Sequence, residues 1–202
     1  MSRGRSAFRA ALLAAGLALA PALGGAQEPI RAEAEAVLKA SPADVRAVLL
    51  DLEGFARWFP TLVEWRVLSR GEREARVYGR QDFPWPAEDR DYVARYRWWS
   101  EGDVFLLEAT GESGAEPAAP PGVVRLERFR SEWRVTPHAS GGTLARYTAE
   151  GPVSGRLARW LATIAWRRET GRVLEGLARA LREAGASGGA GRPPATEPAG
   201  PT

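Results

Sequence analysis

The stretch Ile30–Phe55, "IRAEAEAVLKASPADVRAVLLDLEGF", changes its period in the middle and sets the frame for the rest of the chain. Ile30, Ala32, Ala34, Ala36 and Leu38 alternate with Arg31, Glu33, Glu35 and, further on, Lys39, the period-two pattern of a half-buried strand whose inner face is mostly alanine. Ser41 then stands as an N-cap, Pro42 at the first helical position and Asp44 at N3. Val45, Val48, Leu49 and Leu52 follow at helical spacing, and Gly54 is the expected C-cap. One strand followed at once by one short helix leaves a sheet still to be built.

Downstream the sequence supplies it. Strands are expected near 61–69, 73–82, 90–100, 103–109, 122–136 and 142–150, with connections short enough for successive antiparallel hairpins. A helix from about Ser154 to Ala184 closes the domain, with Leu157, Leu161, Ile164, Leu174, Leu177, Ala178 and Leu181 on one stripe. Gly171 and Gly176 within it each cost about 1 kcal/mol relative to alanine, so the helix needs a packing partner along its length. The concave face of the sheet is the one available, and a curved antiparallel sheet wrapped round a long C-terminal helix is the α+β helix-grip architecture. The arginines of "RVYGRQD" and "YVARYRWW" mark the opposite face as solvated.

The ends of the 202-residue chain read differently. Arg3, Arg5 and Arg9 precede an apolar run, Ala10–Leu23, and "GGA" at 24–26 has the small residues of a signal-peptidase site, so 1–26 is expected to be a signal peptide and the mature protein periplasmic or secreted. Residues 27–185 form the expected domain, and the Gly- and Pro-rich 186–202 an expected disordered tail. The net charge of +3 lies in the leader, which has three arginines and no acid; removing it from 28 basic and 25 acidic groups leaves 25 of each. A neutral chain argues against nucleic acid as a partner. The absence of cysteine excludes disulfides, thiol catalysis and thiolate metal sites. His138, the only histidine, follows Pro137 at a strand end and has no triad around it. No catalytic residue, metal or cofactor is therefore expected, and the protein reads as a monomer.

Four stretches carry a resemblance: "DLEGFARWFP" (51–60), "VYGRQDFPWPAEDRDYV" (77–93), "GVVRLERFRSEWRVTP" (122–137) and "GTLARYTAEGP" (142–152). In this order and spacing the chain resembles the bacterial branch of the StAR-related lipid-transfer (START) family, within the group that also holds polyketide cyclases. Three positions depart from the pattern: Ser131 replaces a glycine, "GPVSGRLARWL" lacks a proline after the entering glycine, and Thr163 replaces an asparagine. The resemblance implies a hydrophobic, weakly polar lipid-like ligand held between sheet and helix, a carrier role with transient membrane contact, and a loop over the pocket, for which "GESGAEPAAPPG" (111–122) is the lid candidate. It also implies an alternative, a cyclase or dehydratase in which Arg90 or Arg125 polarises a carbonyl and Tyr92, Tyr96 or Glu127 moves a proton.

Alternation selects the residues that face such a cavity: Tyr92, Ala94, Tyr96 and Trp98; Phe105 and Leu107; Arg125, Glu127, Phe129 and Trp133; Ala145 and Tyr147; and Leu161 and Ile164 on the helix. Arg125 and Glu127 face inward unless a bulge shifts the register, and inside they need partners. Trp58, Trp85 and Arg90 are the expected rim. The costly turn "FPWPAEDRD" (83–91) reads as a rigid pocket edge, as a clamp on strand register, or as both. Any one of the inward side chains taken singly reads better as plain core; the combination of inward alanines with inward tyrosines, together with the resemblance, argues for space.

Overall fold

The computed structural model describes residues 28–83, 85, 87–152 and 159–189. The expected signal peptide, Pro84, Pro86, the expected helix start with Ser154 and Leu157, and residues 190–202 lie outside them, while 186–189 of the expected tail are helical. Strand β1, Ile30–Leu38, leads through a turn to helix α1, Pro42–Leu50. The expected cap is present in full: Ser41 Oγ accepts from the Asp44 amide, and the Asp44 carboxylate accepts from the Ser41 amide. Gly54 is not the C-cap. Helix α1 ends at Leu50, and Asp51 caps a 3-10 helix, Leu52–Arg57, by accepting from the Gly54 amide at 3.1 Å.

Strands β2 (Leu62–Arg70), β3 (Glu74–Gln81), β4 (Arg90–Glu101) and β5 (Val104–Gly111) form a meander. The two-residue β6 (Val124–Arg125), β7 (Arg130–Pro137) and β8 (Thr143–Gly151) follow, and helix α2 runs from Arg159 to Gly189. The sheet order is β1-β8-β7-β5-β4-β3-β2, antiparallel throughout except that β6 lies parallel to the first two residues of β4. Helix α2, 31 residues and so about 46 Å long, lies against β1 and β8 inside the curve of the sheet. The helix-grip expectation holds.

The strand expected over 122–136 is broken. Residues 126–129 carry the chain from β6 beside β4 to β7 beside β5, and the period-two frame changes on the way. Arg125 pairs in register with Asp91, which alternates with the cavity-facing Arg90 and Tyr92 and so lies on the outer face of β4. Arg125 there makes a two-pronged contact with the fully buried Asp91, both bonds 2.8 Å, and donates to the carbonyls of Ala115 and Pro117. Glu127 is exposed. Both were expected inside and neither is. The same arginine corrects the lid. It pins segment 112–123 to the outside of the sheet, where Arg76 and Arg95 grip Glu112, and Tyr78 and Val93 on that face are buried. At this end the outer face is therefore covered rather than solvated.

The two helical glycines of α2 have opposite surroundings. At Gly176 an added β-carbon would overlap the Trp58 carbonyl oxygen, a backbone atom that cannot step aside; at Gly171 it would meet nothing within 4 Å. Gly171→Ala is expected to stabilise by about 1 kcal/mol, whereas Gly176→Ala is expected to destabilise by about 3 kcal/mol. Thermal melts of the two single variants check this; melting points that move the same way would contradict the close approach.

Candidate ligand-binding cavity

The sheet register explains where space is left. One row of inward residues crosses the strands as Trp98, Leu107, Trp133, Tyr147 and Ala34, and the next as Tyr96, Ala109, Ser131, Ala149 and Ala32. The first row is bulky and packed. Trp133 touches Trp58, the C-cap of the 3-10 helix (6.2 Å between ring centroids), and Tyr147 (4.6 Å), and α1 covers Phe105 through Arg46. The second row is small from β5 onward. A cavity of about 100 Å³ opens beside Tyr96, Ser131 and Ala149 of this row, bounded on the sheet side also by Gln81, Arg90, Tyr92, Leu126 and Phe129 and by Tyr147 from the neighbouring row. Helix α2 closes it with Ala162, Ala165, Trp166, Glu169, Thr170 and Val173, and Phe59, Phe83 and Ala87 edge the mouth. Ligand pockets commonly span about 300–1,000 Å³, so a lipid-sized guest requires the walls to part.

Of the expected cavity residues, Tyr92, Tyr96, Phe129 and Tyr147 line it, and so does Arg90. Ala94, Trp98, Phe105, Leu107, Trp133 and Ala145 are buried in the packed half instead. Alternation gives the face of a strand but not the position along it, and α1 with its 3-10 helix fills that end of the concave sheet. Leu161 and Ile164 do not line the cavity; Ile164 is 55% exposed. The inner face of α2 is turned toward 162, 165, 166, 169 and 173 because its contacts there include polar Glu169 and Thr170, which an apolar stripe does not reveal. Of the expected rim, Trp58 is buried in the core and Trp85 is 91% exposed, while the turn holding Trp85 does edge the mouth through Phe83 and Ala87.

The polar groups of the cavity fall into sets. Tyr92 and Tyr96 lie beside each other, and Tyr147 beside Ser131, one of the positions that depart from the resembled pattern. Burial pushes all three phenols up, Tyr147 to about 12, so they keep their protons at neutral pH. Burial lowers Arg90 from the ordinary arginine value, with Glu88 opposing, yet a guanidinium remains charged. Thr170 satisfies itself by donating to the Arg167 carbonyl. Thr61 adopts φ +62°, the left-handed region that β-branched residues rarely enter, a strain of about 1–3 kcal/mol. Its hydroxyl lies 2.8 Å from Glu169 Oε1 and 3.3 Å from Gln81 Nε2, while its carbonyl accepts from the Asp82 amide. Burial raises Glu169 above the usual carboxylate range; a hydroxyl proton from Thr61, when turned toward it, and the Arg172 charge pull the other way. Glu169, Thr61 and Gln81 were not legible as site residues, since each reads alone as ordinary surface. Among the described residues no group of three or more His, Cys, Asp or Glu side chains is placed to hold a metal.

Comparison with known proteins agrees with this geometry. A STAR-related lipid transfer protein from Xanthomonas axonopodis superposes with a TM-score of 0.67 at 26% identity, over 74% of this chain and 84% of that one. Human STARD10 gives 0.70 at 13% identity (80% and 66%), and the Zhui aromatase/cyclase of a Streptomyces species gives 0.60 at 18% (80% and 98%); these two speak to the fold alone. An uncharacterised protein of Pseudomonas aeruginosa is 27% identical over 128 residues, and the match spans 62% of each chain. Residues 29–182 match the sequence profile described as polyketide cyclase / dehydrase and lipid transport, and the chain belongs to that family.

Proposed function

We propose that the protein binds one hydrophobic ligand with a single polar group in this cavity and carries it, as a monomer, outside the cytoplasm. The observation that supports the reading is the cross-strand set Tyr96, Ser131 and Ala149, where the small Ser131 and Ala149 side chains border room beside an otherwise tightly packed core. The walls of that room are mostly apolar and aromatic, with few polar groups, as binding sites for amphipathic molecules are. Trp85, and Trp160 and Ile164 near the start of α2, are the exposed apolar groups that a transient contact with a bilayer would use.

The cyclase or dehydratase reading keeps Arg90, Tyr92 and Tyr96 in the cavity but loses Arg125 and Glu127 to the outside, and the raised phenols are poor proton carriers near neutral pH. Binding without turnover is therefore preferred. Native mass spectrometry of protein purified from its own host tests the whole proposal. The expected result is a monomer that begins near Gln27 and carries a co-purifying lipid-like mass. A chain beginning at Met1 or Ser2 would remove the export reading, and conversion of an added aromatic polyketide precursor would replace binding with catalysis.

A further inference from the structure

Proton counting at Thr61 points to a selector inside the cavity. The Thr61 hydroxyl has one proton and two neighbouring acceptors, the Pro60 carbonyl at 2.5 Å and Glu169 Oε1 at 2.8 Å, and it also faces the Gln81 amide donor at 3.3 Å. All three contacts are satisfied together when Thr61 donates to Pro60 and accepts from both Gln81 and a protonated Glu169. A neutral carboxyl with one oxygen tied in this way offers its other oxygen, Oε2, as an acceptor. Glu169 lines the cavity.

We propose that Glu169, oriented by Thr61 and Gln81, selects hydroxyl-bearing apolar ligands by accepting the hydroxyl proton's hydrogen bond at Oε2. The inference rests on the reading of the cavity as a ligand site. The surroundings favour one role for this group. Arg172 lies one turn along α2 and is exposed, Tyr147 faces Glu169 from β8, and Tyr92, Tyr96 and Arg90 line the same cavity from β4. The tyrosines stay neutral and the arginines charged across the neutral range, so Glu169 is the cavity group whose charge changes as pH rises from acid. A site built to pair with a ligand hydroxyl discriminates strongly against an analogue lacking it, because the site's own polar atom is then left unpaired.

The test compares 1-octanol with 1-methoxyheptane, matched in length but without a donor, as competitors of the fluorescent apolar probe 1-aminoanthracene. Octanol is expected to bind about tenfold more tightly than the ether. Glu169→Gln, which keeps an acceptor oxygen and a donor for Thr61, should retain that preference; Glu169→Leu should lose it while still binding the probe. A second readout separates recognition from packing. A carboxyl raised in the folded state contributes stability that is present below its ordinary value and is lost as pH rises through its folded value. The wild type should therefore lose stability over that window, and Glu169→Gln should not. Equal binding of alcohol and ether by the wild type would overturn the proposal, as would a preference surviving in Glu169→Leu. Should Glu169→Leu fail to fold, Thr61→Val, which unties the carboxyl, is expected to weaken the alcohol preference, and an unchanged preference there overturns it as well. Failure of the probe and both competitors to bind would remove the cavity reading itself.

Discussion

Asp91→Ala is expected to destabilise the protein by about 3–5 kcal/mol, the range for removing one member of a buried ion pair, and so to lower the melting point by roughly 10 °C in a chain of this size. Asp91 is fully buried, and its carboxylate takes both prongs of the Arg125 guanidinium. Without it a largely buried cation loses its counter-charge. The loss then spreads, because the same guanidinium holds the carbonyls of Ala115 and Pro117 and so keeps segment 112–123 over Tyr78 and Val93. Asp91→Leu combined with Arg125→Met should recover much of the stability, since replacing both charges removes the orphan. Limited proteolysis gives a second measurement: cleavage within 112–123 should appear in Asp91→Ala and not in the wild type. A variant melting within about 2 °C of the wild type, or cut no faster, would show that the pair is not what fastens this segment.

How much of this was legible follows from which quantities are periodic. The half-buried strand Ile30–Leu38 and the Ser41 capping box were readable because each repeats or matches at a fixed spacing. The inward placement of Tyr92, Tyr96 and Tyr147 follows the same way from alternation with charged neighbours. Alternation is blind along the strand, however. Trp98 and Tyr96 share a face, and only the register across β5, β7 and β8 shows that one lies in the row of bulky residues and the other in the row of small ones. Arg125 and Glu127 were misplaced because two-residue β6 runs parallel to β4, a pairing that no local pattern announces. The polar set was hidden for a further reason. Thr61 and Glu169 are 108 residues apart in sequence and meet only when α2 lies in the curve of the sheet. In the turn 83–91, Phe83 and Ala87 edge the mouth, Arg90 enters the cavity and its neighbour Asp91 ties Arg125 to the outer face.

The same substitution, alanine to phenylalanine, should have opposite consequences at two alanines that the sequence does not tell apart. Ala94 has no exposed surface and belongs to the packed core, pairing with Val77 on one side and Gly111 on the other. A phenyl ring there must displace close-packed neighbours, at about 3 kcal/mol or more, so the melting point of Ala94→Phe should fall by about 6–12 °C. Ala165, on the first half of α2, is half-buried and faces the cavity, where a ring meets space instead of atoms. Ala165→Phe is expected to melt within about 2 °C of the wild type and to lose binding of 1-aminoanthracene altogether, because the ring occupies the room bordered by Tyr96, Ser131 and Ala149. Thermal denaturation and a fluorescence titration on the two variants decide the matter. An early-melting Ala165→Phe would mean that α2 packs against the sheet without a usable cavity. A stable Ala165→Phe that still bound the probe at wild-type affinity would place the ligand elsewhere on the molecule, and the carrier reading would fall with it.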